Sequence, residues 1–269
     1  MAFAQTAARP IAGAVATLGV SDRVAFLRKT YGVLGFALVA FALLSGGLLV
    51  YAPDFSWAFS NWAMFSGGFG WLVVFGLLIA VITLAQRLSM SETSRGLQYV
   101  GLGIGILAQA MLMQPILWLL LMKFGDRVVI SSYSALTMSR HYAMHMNAQT
   151  IAIVLQAVVI TLSIFVGLTL TVFVTRKDFS FLRGILSISL WALIGVSLAS
   201  WVFGFSVGAL FCGFGMLVMG GYILYQTSVV MNAFPPSSYV AAALMLFTTV
   251  ATLFRLVLTL LISLNSNRR

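Results

Sequence analysis

The chain has 269 residues, of which 61% are hydrophobic and 7% charged, and its mean hydropathy is +1.07. Globular proteins average roughly 45–50% apolar and about 25% charged residues, so this composition excludes an ordinary soluble domain and indicates an integral membrane protein. The net charge of +10 would suggest nucleic acid in a soluble protein. Here the bases lie in short loops between apolar runs, which indicates membrane orientation and contact with the lipid bilayer, and no nucleic-acid partner.

The first segment, residues 1–29, is predicted to be a cytoplasmic N-terminal tail. It lacks a cationic start followed by an apolar core and a cleavage site, and Arg9 and Pro10 interrupt its mildly apolar stretch. We therefore expect a retained, loosely ordered tail.

Residues 30–265 are predicted to form an all-α transmembrane domain of seven helices. Runs of about twenty apolar residues can cross a hydrocarbon core of ~30 Å as helices, because lipid forces every backbone group to be paired internally. The predicted spans are Tyr31–Tyr51, Met64–Leu84, Tyr99–Met122, Ile151–Val174, Ile185–Phe203, Phe205–Tyr225 and Tyr239–Leu264.

The basic residues predict an orientation for this bundle. Nine of them fall on the side of the N-terminus and five on the opposite side, and the outer segment Ala52–Ala63 carries none. Cytoplasmic loops are enriched in Lys and Arg, so the N-terminus is predicted inside and the C-terminus outside. This agrees with an odd number of spans.

Polar and small residues within the spans predict contacts between helices. Gly101 and Gly105 allow close backbone approach, which favours packing within the bundle over a dimerisation face. We expect Gln109, Gln114 and Gln156 to form hydrogen bonds between helices rather than a substrate site.

The connection between the third and fourth spans, residues 123–150, is predicted to be an extended insertion on the outer face. Its second half, from Leu136 to Met146, has the pattern of a short interfacial helix. On such a helix His141 and His145 would share one face, and with nearby methionines they could bind copper. A third or fourth ligand for zinc is missing from this stretch, so a helix without metal is favoured.

The last span carries the one charged residue at membrane depth, Arg255. Thr248, Thr252 and Thr259 recur on the same helical face and form a polar stripe with it. One interpretation is that the stripe packs inside the bundle and Arg255 extends outward to the interface. The alternative makes Arg255 a gate in an aqueous cavity that repels cations.

The sequence contains no enzyme signature. A phosphate-binding glycine loop, an HExxH motif, a GxSxG motif and a pair of intramembrane catalytic residues are all missing. We expect neither catalysis nor a cofactor.

Four stretches resemble the Bax inhibitor-1 (transmembrane Bax inhibitor motif) family, particularly its bacterial YccA-like branch. The string TRKDFSFLRG is the most specific of them. The stretches are LRKTY at 27–31, QPIL at 114–117 with Gly125 and Asp126 after it, TRKDFSFLRG at 175–184, and LYQTS followed by SYVAAAL between 224 and 244.

The resemblance implies a bundle in which six helices surround a central seventh. It also implies a pore closed by two aspartates, one in a YDT motif that ends the sixth helix and one midway along the seventh. The matching residues here are Gln226 and Thr249, which neither titrate near neutral pH nor supply charge to Ca²⁺.

Two functions follow from the resemblance. The first is a non-catalytic modulator or subunit of a membrane protein complex, such as quality control by the FtsH-type membrane protease, in a bacterial inner membrane. The alternative is a calcium or proton-sensitive cation leak channel that lacks the aspartate pair.

Overall fold

The structure, a computed structural model, describes residues 19–65, 69–91, 94–129, 142–175, 177–203 and 208–266. These ranges contain a helical bundle and one small antiparallel sheet. The elements are α1 (Val20–Tyr51), α2 (Pro53–Phe65), α3 (Phe69–Ser89), α4 (Arg95–Phe124), β1 (Asp126–Val129), β2 (Tyr142–His145), α5 (Ala148–Thr175), α6 (Leu182–Phe203), α7 (Ala209–Asn232) and α8 (Tyr239–Ser266), with a 3-10 turn at Pro236–Ser238.

Within the described ranges, six helices are long and apolar enough to cross a membrane: α1, α4, α5, α6, α7 and α8. This confirms a multi-pass helical membrane protein. The remaining predicted span, Met64–Leu84, falls mainly on α3, which is not among these six. The count of seven spans and the orientation of the termini therefore stay predictions.

Helix α8 lies at the centre of the bundle. It contacts α1, α3, α4, α5 and α7, and none of its residues is exposed before Leu264. Phe41 of α1 packs edge-on against Phe247 and Phe254 of α8, with ring centroids 5.8 and 6.4 Å apart. Such continuous burial explains why α8 is apolar around most of its circumference.

Glycines allow close approach at the contacts of α4. A Cβ atom at Gly101 would lie 2.5 Å from the backbone oxygen of Ala85 in α3, and one at Gly105 would lie 2.5 Å from Leu244 in α8. Real Cβ atoms do not approach so closely. At Gly101 the neighbouring atom is backbone, so only glycine permits this distance, whereas at Gly105 it is a side-chain methyl group of Leu244. The prediction that these two glycines serve packing within the bundle is confirmed.

The connection between α4 and α5 differs from the prediction. Residues Tyr142–His145 form β2, which pairs antiparallel with β1 and places His145 opposite Asp126. The expected interfacial helix is wrong at these four residues, because their backbone groups pair with a strand that is distant in sequence. Residues 130–141, including His141, lie outside the described residues.

The end of this sheet is held by Asn147. Its Nδ2 donates to the carbonyl oxygen of Phe124 at 2.7 Å and to Asp126 Oδ1 at 3.2 Å, while its Oδ1 accepts from the Thr150 backbone N–H at 2.9 Å. The last contact caps the first turn of α5, as Asn commonly does. One side chain therefore ties the sheet to both neighbouring helices.

Two helix ends and one short helix also differ from the prediction. α1 begins at Val20, inside the predicted tail of residues 1–29, and α7 continues to Asn232 rather than ending at Tyr225. α2 occupies a segment that we expected to be a loop. Pro53 fits its first position, because proline lacks only an N–H that a first turn leaves unpaired.

Candidate functional site

The two residues matched to the family's aspartate pair contact each other in the structure. Thr249 Oγ1 of α8 donates a hydrogen bond of 2.8 Å to Gln226 Oε1 of α7, and both side chains are buried. An amide and a hydroxyl carry no net charge and do not titrate near neutral pH. The contact can hold α7 against α8, and its state does not respond to protons or attract Ca²⁺.

Three buried hydroxyl groups come from α1, α5 and α7, and the one on α7, Thr227, follows Gln226 in sequence. The Tyr31 hydroxyl is close to the hydroxyls of Thr169 and Thr227, yet none of the three has a hydrogen bond of regular geometry with a described residue. The Tyr31 ring is fixed by edge-on contact with Phe173, at 5.8 Å between centroids. Buried hydroxyls need partners, so this cluster suits ordered water.

The predicted polar stripe on α8 is partly buried along its length. Thr248, Thr252 and Thr259 donate to carbonyl oxygens of α8 itself, at 2.9, 2.8 and 2.8 Å. Threonine hydroxyls often bond to the preceding turn in this way. The hydroxyl donors of the threonines are thus used within their own helix, and none of these residues supplies a negative charge to the arginine on their face.

The side chain of Arg255 is a cation to which the described residues supply no counter-ion. It is partly buried, and its guanidinium forms no ion pair or hydrogen bond with any residue in the described part of the chain. α8 continues to Ser266, which places the end of the helix about 16 Å from Arg255 at 1.5 Å per residue. An arginine at this depth is costly in lipid unless an acidic group, water or a headgroup reaches it.

The string that resembles the family most closely, after α5, is attached to α7 through Asp178. Its carboxylate accepts from the Ser180 backbone N–H at 2.9 Å, from Ser180 Oγ, and from Ser228 Oγ at 3.0 Å. The Phe179 backbone N–H donates to the same Ser228 oxygen at 3.2 Å. Desolvation by burial raises the pKa of Asp178, but the hydrogen bonds from Ser180 and Ser228 outweigh it and lower the pKa below the usual value.

Sequence reasoning missed this contact between the α5–α6 connection and α7. The spacing of Asp178 and Ser180 is a turn signal, because an Asp side chain accepts from the backbone two residues further on. Ser228, by contrast, is separated from Asp178 by fifty residues, and no local pattern joins the two.

The proposed histidine pair has no support from the geometry. His145 lies in β2, where the helical spacing that motivated the pair does not apply, and His141 lies outside the described residues. Among the described residues, no three His, Cys, Asp or Glu side chains come close enough to hold a metal ion.

A second polar cluster joins α1, α2 and α4 around Gln114. Ser56 Oγ donates to Gln114 Oε1 at 2.7 Å and accepts from Trp118 Nε1 at 2.8 Å. Gln114 Nε2 donates to the carbonyl oxygens of Ser45 and Ala110, at 3.2 and 3.0 Å. The prediction that Gln114 forms hydrogen bonds between helices is confirmed.

Together these features define a multi-pass membrane protein whose central C-terminal helix carries two features: the neutral Gln226–Thr249 contact, and an arginine that has no partner among the described residues. A family model described as "Inhibitor of apoptosis-promoting Bax1" matches residues 130–268. The chain is 30% identical over 258 residues to the Schizosaccharomyces pombe protein "Bax inhibitor 1", covering 94% of this chain and 82% of that relative. The chain therefore belongs to the Bax inhibitor-1 family.

Shorter matches extend to plants and bacteria. The "BI1-like protein" of Arabidopsis thaliana is 38% identical over 114 residues, which cover 40% of this chain and 44% of that one. An "Uncharacterized membrane protein" of Vibrio cholerae is 29% identical over 120 residues, which cover 43% of this chain and 52% of that one. These relatives agree with a multi-pass membrane protein.

Proposed function

We propose that this chain is a non-catalytic modulator or subunit of a membrane protein complex, such as an assembly containing an FtsH-type protease. The observation that supports this role most strongly is the unpaired guanidinium of Arg255. Ionisable residues at membrane depth usually pair with one another, and within the described residues no acid pairs with this one. A carboxylate on a helix of a partner protein would complete the pair.

The neighbours of Arg255 suit such a contact. The hydroxyls of Thr248, Thr252 and Thr259 are bonded to carbonyls of α8, so a partner helix would meet small side chains that leave no donor unsatisfied. Small residues let helix backbones approach closely in a membrane. The arginine would then be the main determinant of which helix binds.

The proposal includes the membrane arrangement predicted from the sequence. Helix α3 also spans the membrane, which brings the number of spans to seven. The N-terminus is inside and the C-terminus is outside. The compartment is a bacterial inner membrane, on the resemblance to the YccA-like branch. Fusion of a periplasmic reporter to each terminus tests this arrangement, and activity at the N-terminal fusion would contradict it.

Co-reconstitution with an FtsH-type protease tests the function. The rate at which the protease degrades a membrane-protein substrate is measured with and without this chain, and with the Arg255→Leu variant. We expect the wild-type chain to change the rate several-fold and the variant to have no effect. Arg183→Leu removes an exposed base on α6 and serves as the control, since it should act like wild type. Equal rates with and without the wild-type chain would contradict the proposal.

One observation favours the alternative function, a cation leak. The hydroxyls of Tyr31, Thr169 and Thr227, which have no regular hydrogen bond with a described residue, could hold water inside the bundle. Flux of H⁺ or Ca²⁺ into liposomes that contain the purified protein separates the two functions. A flux that rises when Thr249→Val breaks the Gln226–Thr249 contact would favour the leak, and liposomes as tight as protein-free ones would exclude it.

A further inference from the structure

A cavity opens at the end of the bundle where α1 begins and α5 and α7 end. Its volume is about 380 Å³, and its lining includes Arg23 of α1 and Lys177, which follows α5. Neither side chain forms an ion pair or hydrogen bond with a residue in the described ranges. Two basic side chains from separate parts of the chain therefore line one cavity, and their N–H groups are not bonded to any described residue.

The lining has two other polar side chains, Ser228 and Asn232, and neither is charged. Ser228 Oγ donates to Asp178 and accepts from the Phe179 backbone N–H and, at 3.4 Å, from Asn232 Nδ2. Asp178 itself does not line the cavity. The binding capacity of the site thus rests on the positive charges of Arg23 and Lys177, which select an anion.

The remaining wall is apolar and belongs to helices that continue into the membrane. Val24 and Leu27 contribute from α1, Val172 and Phe173 from α5, and Met231 from α7. A small anion uses only the charged rim, whereas a phospholipid also places its first acyl carbons against such a wall. The site is therefore amphipathic in the sense that a lipid at the interface requires.

We propose that this cavity binds the phosphate group of an anionic ligand through Arg23 and Lys177. Arginine donates to phosphate oxygens as a planar fork, and lysine adds a compact positive charge. The headgroup of an anionic phospholipid and free phosphate share this chemistry, and the apolar wall suits the phospholipid. This inference is independent of the proposed partner contact at Arg255, which lies on α8 outside the lining.

Retention of phosphatidylglycerol tests the site. The purified full chain is placed in phosphatidylcholine nanodiscs that contain phosphatidylglycerol, and bound lipid is counted by native mass spectrometry. We expect Arg23→Gln and Lys177→Gln each to lower affinity about fivefold, because one basic residue near a membrane surface contributes roughly one kcal/mol. The double variant should lose about 25-fold.

Arg28→Gln is the matched control, because Arg28 is an exposed base on the same helix and does not line the cavity. It should retain the lipid as wild type does. Leu27→Trp fills the cavity and keeps both charges, so it should also lower retention. A thermal unfolding midpoint for every variant verifies that the chain is folded.

Inorganic phosphate, titrated in nanodiscs of phosphatidylcholine alone, distinguishes the two sources of the anion. If phosphate raises the unfolding midpoint of wild type but not of the double variant, the site accepts free phosphate. If only phosphatidylglycerol is retained in an Arg23-dependent manner, the ligand is the lipid. The inference is overturned if the double variant retains phosphatidylglycerol like wild type, or if Arg28→Gln loses as much as Arg23→Gln.

Discussion

Two polar regions of the bundle differ in whether all their principal polar groups have partners among the described residues. Around Gln114, the side chains of Ser56, Gln114 and Trp118 from α2 and α4 bond to one another, and Gln114 also donates to the Ser45 carbonyl oxygen of α1. Along α8, the Gln226–Thr249 contact is paired, but Arg255 has no partner among the described residues. Groups that pair within the chain hold helices together, whereas a group left unpaired at membrane depth indicates something supplied from outside.

The largest loss of stability is expected from a substitution at the contact between α3 and α4, the helix that carries Gln114. Gly101→Ala forces a methyl group onto the backbone of Ala85 and Ser89 and should cost about 3 kcal/mol of stability. Gly103→Ala is the control, because a Cβ atom there meets nothing within 4 Å. Denaturant unfolding in detergent micelles measures both, and equal stabilities would contradict the close contact.

A smaller loss of stability is expected when the hydrogen-bonded cluster around Gln114 is disrupted. Ser56→Ala leaves Gln114 Oε1 and Trp118 Nε1 without their partner and should cost about 2 kcal/mol. Ser60 donates only to the Ser56 carbonyl of its own helix, so Ser60→Ala should cost less. The same unfolding experiment compares them, and the comparison fails if Ser60→Ala is the more damaging change.

Loss of the Gln226–Thr249 hydrogen bond should lower the free energy of unfolding by about 1 kcal/mol. Hydrogen bonds between membrane helices average below that value and reach roughly 1.7 kcal/mol. Thr249→Val removes the hydroxyl that donates to Gln226, while Thr252→Val removes one that donates only within α8. We expect the first variant to unfold more readily than the second at every pH between 5 and 8. A loss that varied across that range would mean that a titrating group takes part.

The smallest effect is expected at Asp178 and depends on pH. Its pKa is lowered in the folded protein, so the carboxylate stabilises the fold above the unfolded pKa of about 3.9 and loses this effect as the pH falls through the folded value. The unfolding midpoint should therefore drop more steeply below pH 4 in wild type than in Asp178→Asn. Parallel curves for the two proteins would count against the Ser180 and Ser228 contacts.

The long apolar runs made most of the helices predictable, because lipid leaves few alternatives for a hydrophobic backbone. The ends of the helices were less predictable, as α7 shows. Its apolar run stops near Tyr225, yet the helix continues through Gln226 and Ser228, whose polar side chains bond to α8 and to Asp178. Polar residues can thus be paired inside the bundle, and the end of an apolar run need not be the end of a helix.

Pairings between distant residues could not be derived from local patterns. The strand Tyr142–His145 pairs with residues that precede it by thirteen to nineteen positions, so its sequence alone was compatible with a helix. The Gln226–Thr249 contact was anticipated through the family resemblance, which matched both positions to one pair. Arg255 stood out in the sequence as a charge in an apolar run, but only the structure showed that no described residue pairs with it.

The contrast between the Gln114 cluster and Arg255 is tested most directly by the stability of the Arg255→Leu variant in the purified, isolated protein. If Arg255 serves a contact outside the chain, removing its charge should leave the free energy of unfolding unchanged or higher, because an unpaired charge is costly in lipid. Ser56→Ala, measured beside it, should be about 2 kcal/mol less stable than wild type. A loss for Arg255→Leu as large as that for Ser56→Ala would show that Arg255 holds the bundle together, and would contradict the account.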